Sequence, residues 1–124
     1  MEVNTITHSI IGAAIKVHTT LGPGMLESAY EKCLAHEIRA SGLQVECQIT
    51  LPLIYEGVPI NAGYRLDLRV ADLVIVEIKA VDKLLPVHRA QLLSYLRASG
   101  LPVGLLINFN VVRLADGIKR LILT

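Results

Sequence analysis

The chain has 124 residues, 52% of them hydrophobic but only five aromatic, and a formal net charge of +1. That length suits one domain over residues 1–124, burying roughly two thirds of its unfolded surface, and the near-neutral charge excludes a protein that coats nucleic acid by bulk electrostatics. The aliphatic excess is more than one sheet and three helices readily cover, so a homodimer is expected. No apolar run approaches a bilayer span, Met1-Glu2-Val3-Asn4 lacks the basic start of a signal peptide, and Cys33 and Cys47 have neither CxxC nor finger spacing, so a cytoplasmic protein with reduced thiols and no membrane segment is expected.

Thr5 to His18 carries Ile6, Ile10, Ala13, Ala14 and Val17 at helical spacing, with Asn4 or Thr5 as the cap. Gly22-Pro23-Gly24 then breaks the chain. A second helix is expected from Pro23, suited to a first helical position, to Gly42, with Leu26, Ala29, Tyr30, Cys33, Leu34 and Ile38 as its buried stripe. Glu27 falls in the first turn, where the helix dipole by itself favours a carboxylate. These glycines are no Walker loop, since the Gly-Lys-Ser/Thr ending is missing. Gln48 to Tyr55 alternates as a strand, Pro52 marks it as an edge, and Glu56-Gly57 turns it toward the strand at Tyr64. Pro86 opens a third helix to about Ser99, with Leu85, Leu92, Leu93 and Leu96 toward the core and His88, Gln91 and Tyr95 on a neighbouring face. Pro102 to Phe109 is apolar enough for a central strand reached by a crossover. Val111 to Leu114 and Ile118 to Leu123, joined by Asp116-Gly117, are expected to end the chain as a hairpin.

The most informative stretch is Tyr64 to Ala80. Tyr64, Leu66, Leu68 and Val70 alternate with Arg65, Asp67 and Arg69, and Val74, Val76, Ile78 and Ala80 alternate with Ile75, Glu77 and Lys79. A two-residue turn at Ala71-Asp72 would mix charged and apolar side chains on both faces. Turning on Ala71, Asp72 and Leu73 sets Val70 against Val74, Leu68 against Val76 and Leu66 against Ile78, giving one wholly apolar face. Asp67 then lies opposite Glu77. Carboxylates on opposed β-carbons about 5 Å apart repel by roughly 3 kcal/mol at an effective dielectric near 20. Lys79, two residues along, offsets part of this, and a divalent metal would offset more. The plain alternative is a surface strand pair with a Glu–Lys contact. Arg65 and Arg69, on the same face, are candidate contacts for an anionic substrate or simply parts of a solvated face.

An acidic residue on an early helix, Asp67 on one strand, Glu77-Ile78-Lys79 on the next, and Gln91-x-x-x-Tyr95 on the following helix resemble the PD-(D/E)xK nuclease superfamily. Within it the chain is similar to a small bacterial family named for a Gly-x-x-Glu-x-x-Tyr signature, here Gly24-Met25-Leu26-Glu27-Ser28-Ala29-Tyr30. Tyr64-Arg65-Leu66-Asp67, Val76 to Ala80, Pro86 to Leu96 and Gly104 to Phe109 also fit, so the resemblance runs from Ile6 to Leu123. It implies an α/β, restriction-endonuclease-like core with a mixed central sheet flanked by helices. It also implies a Mg2+ or Mn2+ ion held by Glu27, Asp67, Glu77 and the backbone carbonyl of Ile78, oxygen donors that suit a hard cation. Lys79 would orient the attacking water and steady the charge on the phosphate. Gln91 and Tyr95 would position the lysine and the nucleic acid. Leu66 stands where the superfamily motif has its Pro, a commonly relaxed position.

The leading expectation is therefore a metal-dependent phosphodiesterase acting on DNA or RNA. The alternative is a non-catalytic nucleic-acid-binding or assembly module on the same fold, since fold does not fix function. A zinc or thiol enzyme is disfavoured, because His8, His18, His36 and His88 show no HxxxH spacing and the cysteines are isolated.

Overall fold

Ile6, Ile10, Ala14 and Val17 recur at the spacing of one helical face, and in the computed structural model, which describes residues 2–123 and every side chain among them but that of Ala62, all four are buried. They belong to α1 (Val3–Leu21), which packs with α2 (Glu27–Ala40) on one side of a sheet. The sheet is built from β1 (Val45–Tyr55), β2 (Val58–Val70), β3 (Val74–Lys79), β4 (Val103–Asn108) and β5 (Ile118–Ile122), in that spatial order. Neighbours are antiparallel except β3 and β4, which run parallel because α3 (Pro86–Ser99) returns the chain between them. This is the mixed, helix-flanked sheet of a restriction-endonuclease-like fold.

Two apolar layers result. Tyr30, Leu34 and Ile38 of α2 join the α1 stripe against Leu68, Val70, Val74, Val76, Ile78, Leu105 and Ile107. On the opposite face Leu92, Tyr95 and Leu96 of α3 cover Leu66, Ile75, Leu106 and Leu121. β3 and β4 lie between the layers and are buried along nearly their whole length, which is why they read as continuous apolar runs. Gly104 permits the close approach of α3, since a β-carbon there would lie 2.8 Å from the Leu92 side chain.

Several boundaries differ from the sequence expectation. α1 begins at Val3, because the Glu2 carboxylate accepts the Asn4 N–H (3.1 Å) and supplies the cap. α2 begins at Glu27 rather than Pro23. The intervening loop is held by Tyr30, whose hydroxyl donates to the Gly22 carbonyl (2.5 Å) and accepts from the Met25 N–H (3.0 Å). Gly24, with φ 96°, donates its N–H to Asn110 Oδ1 at 3.1 Å. Leu85 is the exposed N-cap of α3 rather than part of its stripe. Val111 to Leu114 form no strand, and β5 pairs with β4 instead. The buried His18 ring nitrogen at 2.7 Å from the Val111 carbonyl fixes that connection against α1.

The Tyr30 contacts explain the Gly24–Glu27–Tyr30 spacing: the glycine allows the turn, and the tyrosine, one helical turn after Glu27, locks the loop that delivers it. Tyr30→Phe leaves the Met25 N–H and the Gly22 carbonyl without this partner, and a loss of about 1–3 kcal/mol in urea unfolding is expected. An unchanged midpoint would show that the hydroxyl does not hold the loop.

Candidate active site

The hairpin between β2 and β3 turns on Ala71 to Leu73 and pairs Val70 with Val74, Arg69 with Ile75 and Leu68 with Val76. The ladder stops there. The next hydrogen bonds run through side chains: the Asp67 N–H donates to Glu77 Oε2 (2.8 Å), and the Ile78 N–H donates to Asp67 Oδ2 (2.9 Å). The two carboxylates thus face each other, as the register requires, but each caps the other strand's backbone.

This exchange overturns one expected pair. Leu66 does not oppose Ile78 on a common apolar face; it lies in the layer beneath α3, while Ile78 lies in the layer beneath α1 and α2. β1 switches in step, with Val45 in one layer and Ile49 and Leu51 in the other. The switch falls between the pairs Cys47–Leu68 and Ile49–Leu66, at Gln48, whose φ of 53° lies in the left-handed region. Such a backbone costs a non-glycine residue about 1 kcal/mol. What it secures is visible: Gln48 Nε2 donates to Glu31 Oε1 at 2.6 Å and reaches Asp67 Oδ1 at 3.5 Å.

An open acidic cleft follows, lined by Glu27, Glu31, Gln48, Arg65 and Asp67. Glu77, 3% exposed, is buried next to the cleft, against the Asp67 backbone whose N–H it accepts. Burial, reinforced by the Asp67 charge, pushes the Glu77 carboxyl up to about 9, against the opposing pull of the Asp67 N–H and Lys79. Glu27 is also raised, by burial first and by Asp67, while Lys79 and His88 work the other way. Glu31 is raised by burial, with Asp67 and Glu27 adding to it and the Gln48 hydrogen bond opposing. In all three burial is the largest cause, and the charge of a neighbouring carboxylate adds to it.

On the other flank, Lys79 Nζ donates to Gln91 Oε1 at 3.4 Å, so α3 holds the amine beside the carboxylates. Tyr95, 7% exposed, belongs to the core, and burial followed by the Glu77 charge raises its hydroxyl. The structure therefore brings together Glu27, Asp67, Glu77, Ile78, Lys79, Gln91, Tyr95 and Arg65. Arg69 is committed elsewhere: it forms a two-pronged pair with Glu46 (3.0 and 2.9 Å) and lies 3.5 Å from Asp72.

Three contributors escaped the sequence reading. Glu31 is four residues from Glu27 and so shares its helix face. Gln48 is the residue that the β1–β2 register sets opposite Asp67. Asn108, 2% exposed, donates through Nδ2 to the Val81 carbonyl (2.9 Å), and its Oδ1 accepts from the Val81 and Asn110 N–H groups (3.1 and 3.2 Å). With the Asn110–Gly24 bond, it ties the chain leaving Lys79 to the loop entering Glu27.

The donor set suits a hard cation. Asp67 Oδ1 and Glu77 Oε1 stand outside the backbone exchange. The Ile78 carbonyl points to the same strand edge as its N–H, toward the gap where the β2 ladder has ended. Among the described residues no three His, Cys, Asp or Glu side chains form a ready-made cage. Magnesium sites commonly use one or two carboxylates, with water and substrate phosphate completing the shell.

A family model describing the PD-(D/E)XK nuclease superfamily matches residues 4–121. The chain belongs to that superfamily. Comparison with curated proteins and with solved structures found no match. Superfamily membership accounts for the nuclease-like fold. Among the described residues no helix is long and apolar enough to cross a membrane.

Proposed function

We propose that this protein is a Mg2+- or Mn2+-dependent phosphodiesterase acting on DNA or RNA, and that it falls in the Gly-x-x-Glu-x-x-Tyr branch of the superfamily as a single nuclease-like domain. The observation that carries this is the interlocked Asp67–Glu77 pair, with Glu77 raised to about 9 and Lys79 beside it on the same strand. Asp67, Glu77 and the Ile78 carbonyl would hold the cation, with Glu27 facing them across the cleft. The ion would supply charge neutralisation and polarisation of the phosphate.

The remaining work falls to the chain's own groups. Lys79 orients the attacking water and balances the charge that builds on the non-bridging phosphate oxygens. The water oxygen bonds to phosphorus as the ester P–O bond breaks, and the leaving oxygen departs as an alcohol. Gln91 holds the Lys79 amine in place, and Tyr95 supports Gln91 from the core. Arg65, which makes no ion pair among the described residues, is left to meet a flanking phosphate. Titrating magnesium and manganese against labelled DNA and RNA tests this. Metal-dependent cleavage is expected, whereas metal-independent binding without cleavage would favour the non-catalytic module.

Two further proposals concern the whole protein. Free Cys33 and Cys47 suit the reducing cytoplasm. Self-association as a dimer is supported by apolar side chains left uncovered at the β1–β2 tip, where Ile54, Tyr55 and Val58 are each more than half exposed. Light scattering at tens of micromolar, a scale on which a stable interface stays formed, should give the mass of two chains; a monomer alone would remove the dimer.

A further inference from the structure

Beside the acidic cleft lies a second hollow of about 270 Å3, lined by Thr50, Asn61, Gly63, Tyr64, Arg65 and Tyr95. Arg65 lines both spaces and so forms the wall they share. The hollow is smaller than the pockets that enclose drug-sized molecules. Its chemistry is that of a planar, hydrogen-bonding heterocycle. Tyr64 is half-buried, and its ring packs edge-on with the buried Tyr95 ring (centroids 5.8 Å apart, planes at 85°), which holds the aromatic surface in a fixed position. Asn61 offers an amide donor and acceptor and Thr50 a hydroxyl, and Arg65, which also lines the acidic cleft, brings the two spaces next to each other.

We propose that the hollow is a base subsite, taking one unstacked nucleobase next to the phosphodiester held in the cleft, so that the substrate is a single-stranded nucleic acid. Stacking on an aromatic side chain tolerates any base, because every base has a π face, and it requires the base to be out of a duplex. Arg65 then meets the phosphate joining that nucleotide to the next, which carries the neighbouring ester toward Asp67, Glu77 and Lys79. The subsite rests on the phosphodiesterase reading for the position of the ester but has its own observable, the preference for unpaired bases.

The test measures binding by fluorescence anisotropy with Lys79→Ala protein and manganese, using single-stranded DNA, single-stranded RNA and a duplex closed at both ends by hairpin loops too tight to offer a free base. Single strands should bind at least about tenfold more tightly than the closed duplex, and Tyr64→Leu should lose about tenfold for single strands while Tyr64→Phe keeps the affinity. Asn61→Ala, at an exposed position, should weaken single strands and leave the duplex unchanged. The DNA and RNA arms show which strand is preferred. Equal binding of duplex and single strands, or a folded Tyr64→Leu protein with unchanged affinity, overturns the subsite. Wild-type cleavage separates the two proposals. Hydrolysis of the closed duplex as fast as single strands removes the subsite and keeps the phosphodiesterase, whereas Tyr64-dependent binding without any cleavage keeps the subsite and removes the phosphodiesterase. Absence of binding to every probe removes both.

Discussion

Lys79→Ala abolishes turnover while metal binding survives: that is the expected result, with a loss of at least about 10²- to 10³-fold, the scale seen when one charge-stabilising donor is removed from an active site. Lys79 is held by Gln91 and takes no part in the backbone exchange, so its removal leaves the Asp67–Glu77 pair intact. Glu77→Ala should behave differently. It removes a proposed ligand and the acceptor for the Asp67 N–H together, so manganese affinity should fall by about tenfold or more along with activity. Calorimetric titration of wild type and both variants with manganese, paired with cleavage assays, supplies the two observables. Wild-type protein that binds no manganese at millimolar concentration, about the weak limit for an oxygen site, would defeat the metal-dependent reading and promote the binding module.

Glu77 also sets an expected pH dependence. In the unfolded chain its carboxyl titrates near 4.5, whereas in the fold it is pushed up to about 9. Between these values the folded state holds the proton and the unfolded state has lost it, so metal-free stability falls as pH rises through that window. Below 4.5 both states are protonated and the group is neutral in its effect; above 9 the penalty is complete, on the order of 6 kcal/mol from 1.36 kcal/mol per unit. Glu27 and Glu31 are raised as well and act in the same direction. Thermal unfolding of the chelator-treated protein should therefore give a lower Tm at pH 8 than at pH 5.5. Glu77→Gln should flatten most of that slope and raise Tm at pH 8. Magnesium should restore wild-type Tm more at pH 8 than at pH 5.5, because a cation binds the carboxylate and not the acid. A wild-type Tm that rises over this range and is unaffected by Glu77→Gln would show that Glu77 is not held protonated by its surroundings.

The elements whose side chains repeat with an unambiguous period are legible in the amino-acid order alone. The α1 stripe, the buried run of β4, Pro86 at the start of α3 and the Ala71 to Leu73 turn all follow from local pattern, because burial of one face selects a single period and a single register. The opposition of Asp67 and Glu77 is a consequence of that register, so the heart of the candidate site can be located from a seventeen-residue stretch, Tyr64 to Ala80. The beginning of α2 is not legible in this way. Pro23 is a good first helical residue, but the competing hydrogen bonds come from Tyr30 and from Asn110, far along the chain.

The sequence by itself determined the α/β order as far as β4, the strand pair that carries Asp67, Glu77 and Lys79, and the face of α3 that presents Gln91, since each depends on spacing within one element or across one short turn. Only the tertiary structure decided that the β2–β3 ladder ends at Leu68 and Val76, that Leu66 and Ile49 change layers together around a left-handed Gln48, that Arg69 is occupied by Glu46, and that Glu31 and Asn108 join the site. Arg69 meets Glu46 because the intact β1–β2 register sets them opposite each other, and the other three share one physical reason. Strict alternation predicts where a side chain points only while the backbone ladder continues, and here the carboxylates themselves replace the ladder's hydrogen bonds. Where they do, the strands part and the cleft opens, and its remaining lining is then chosen by residues that are near in space and distant in the chain.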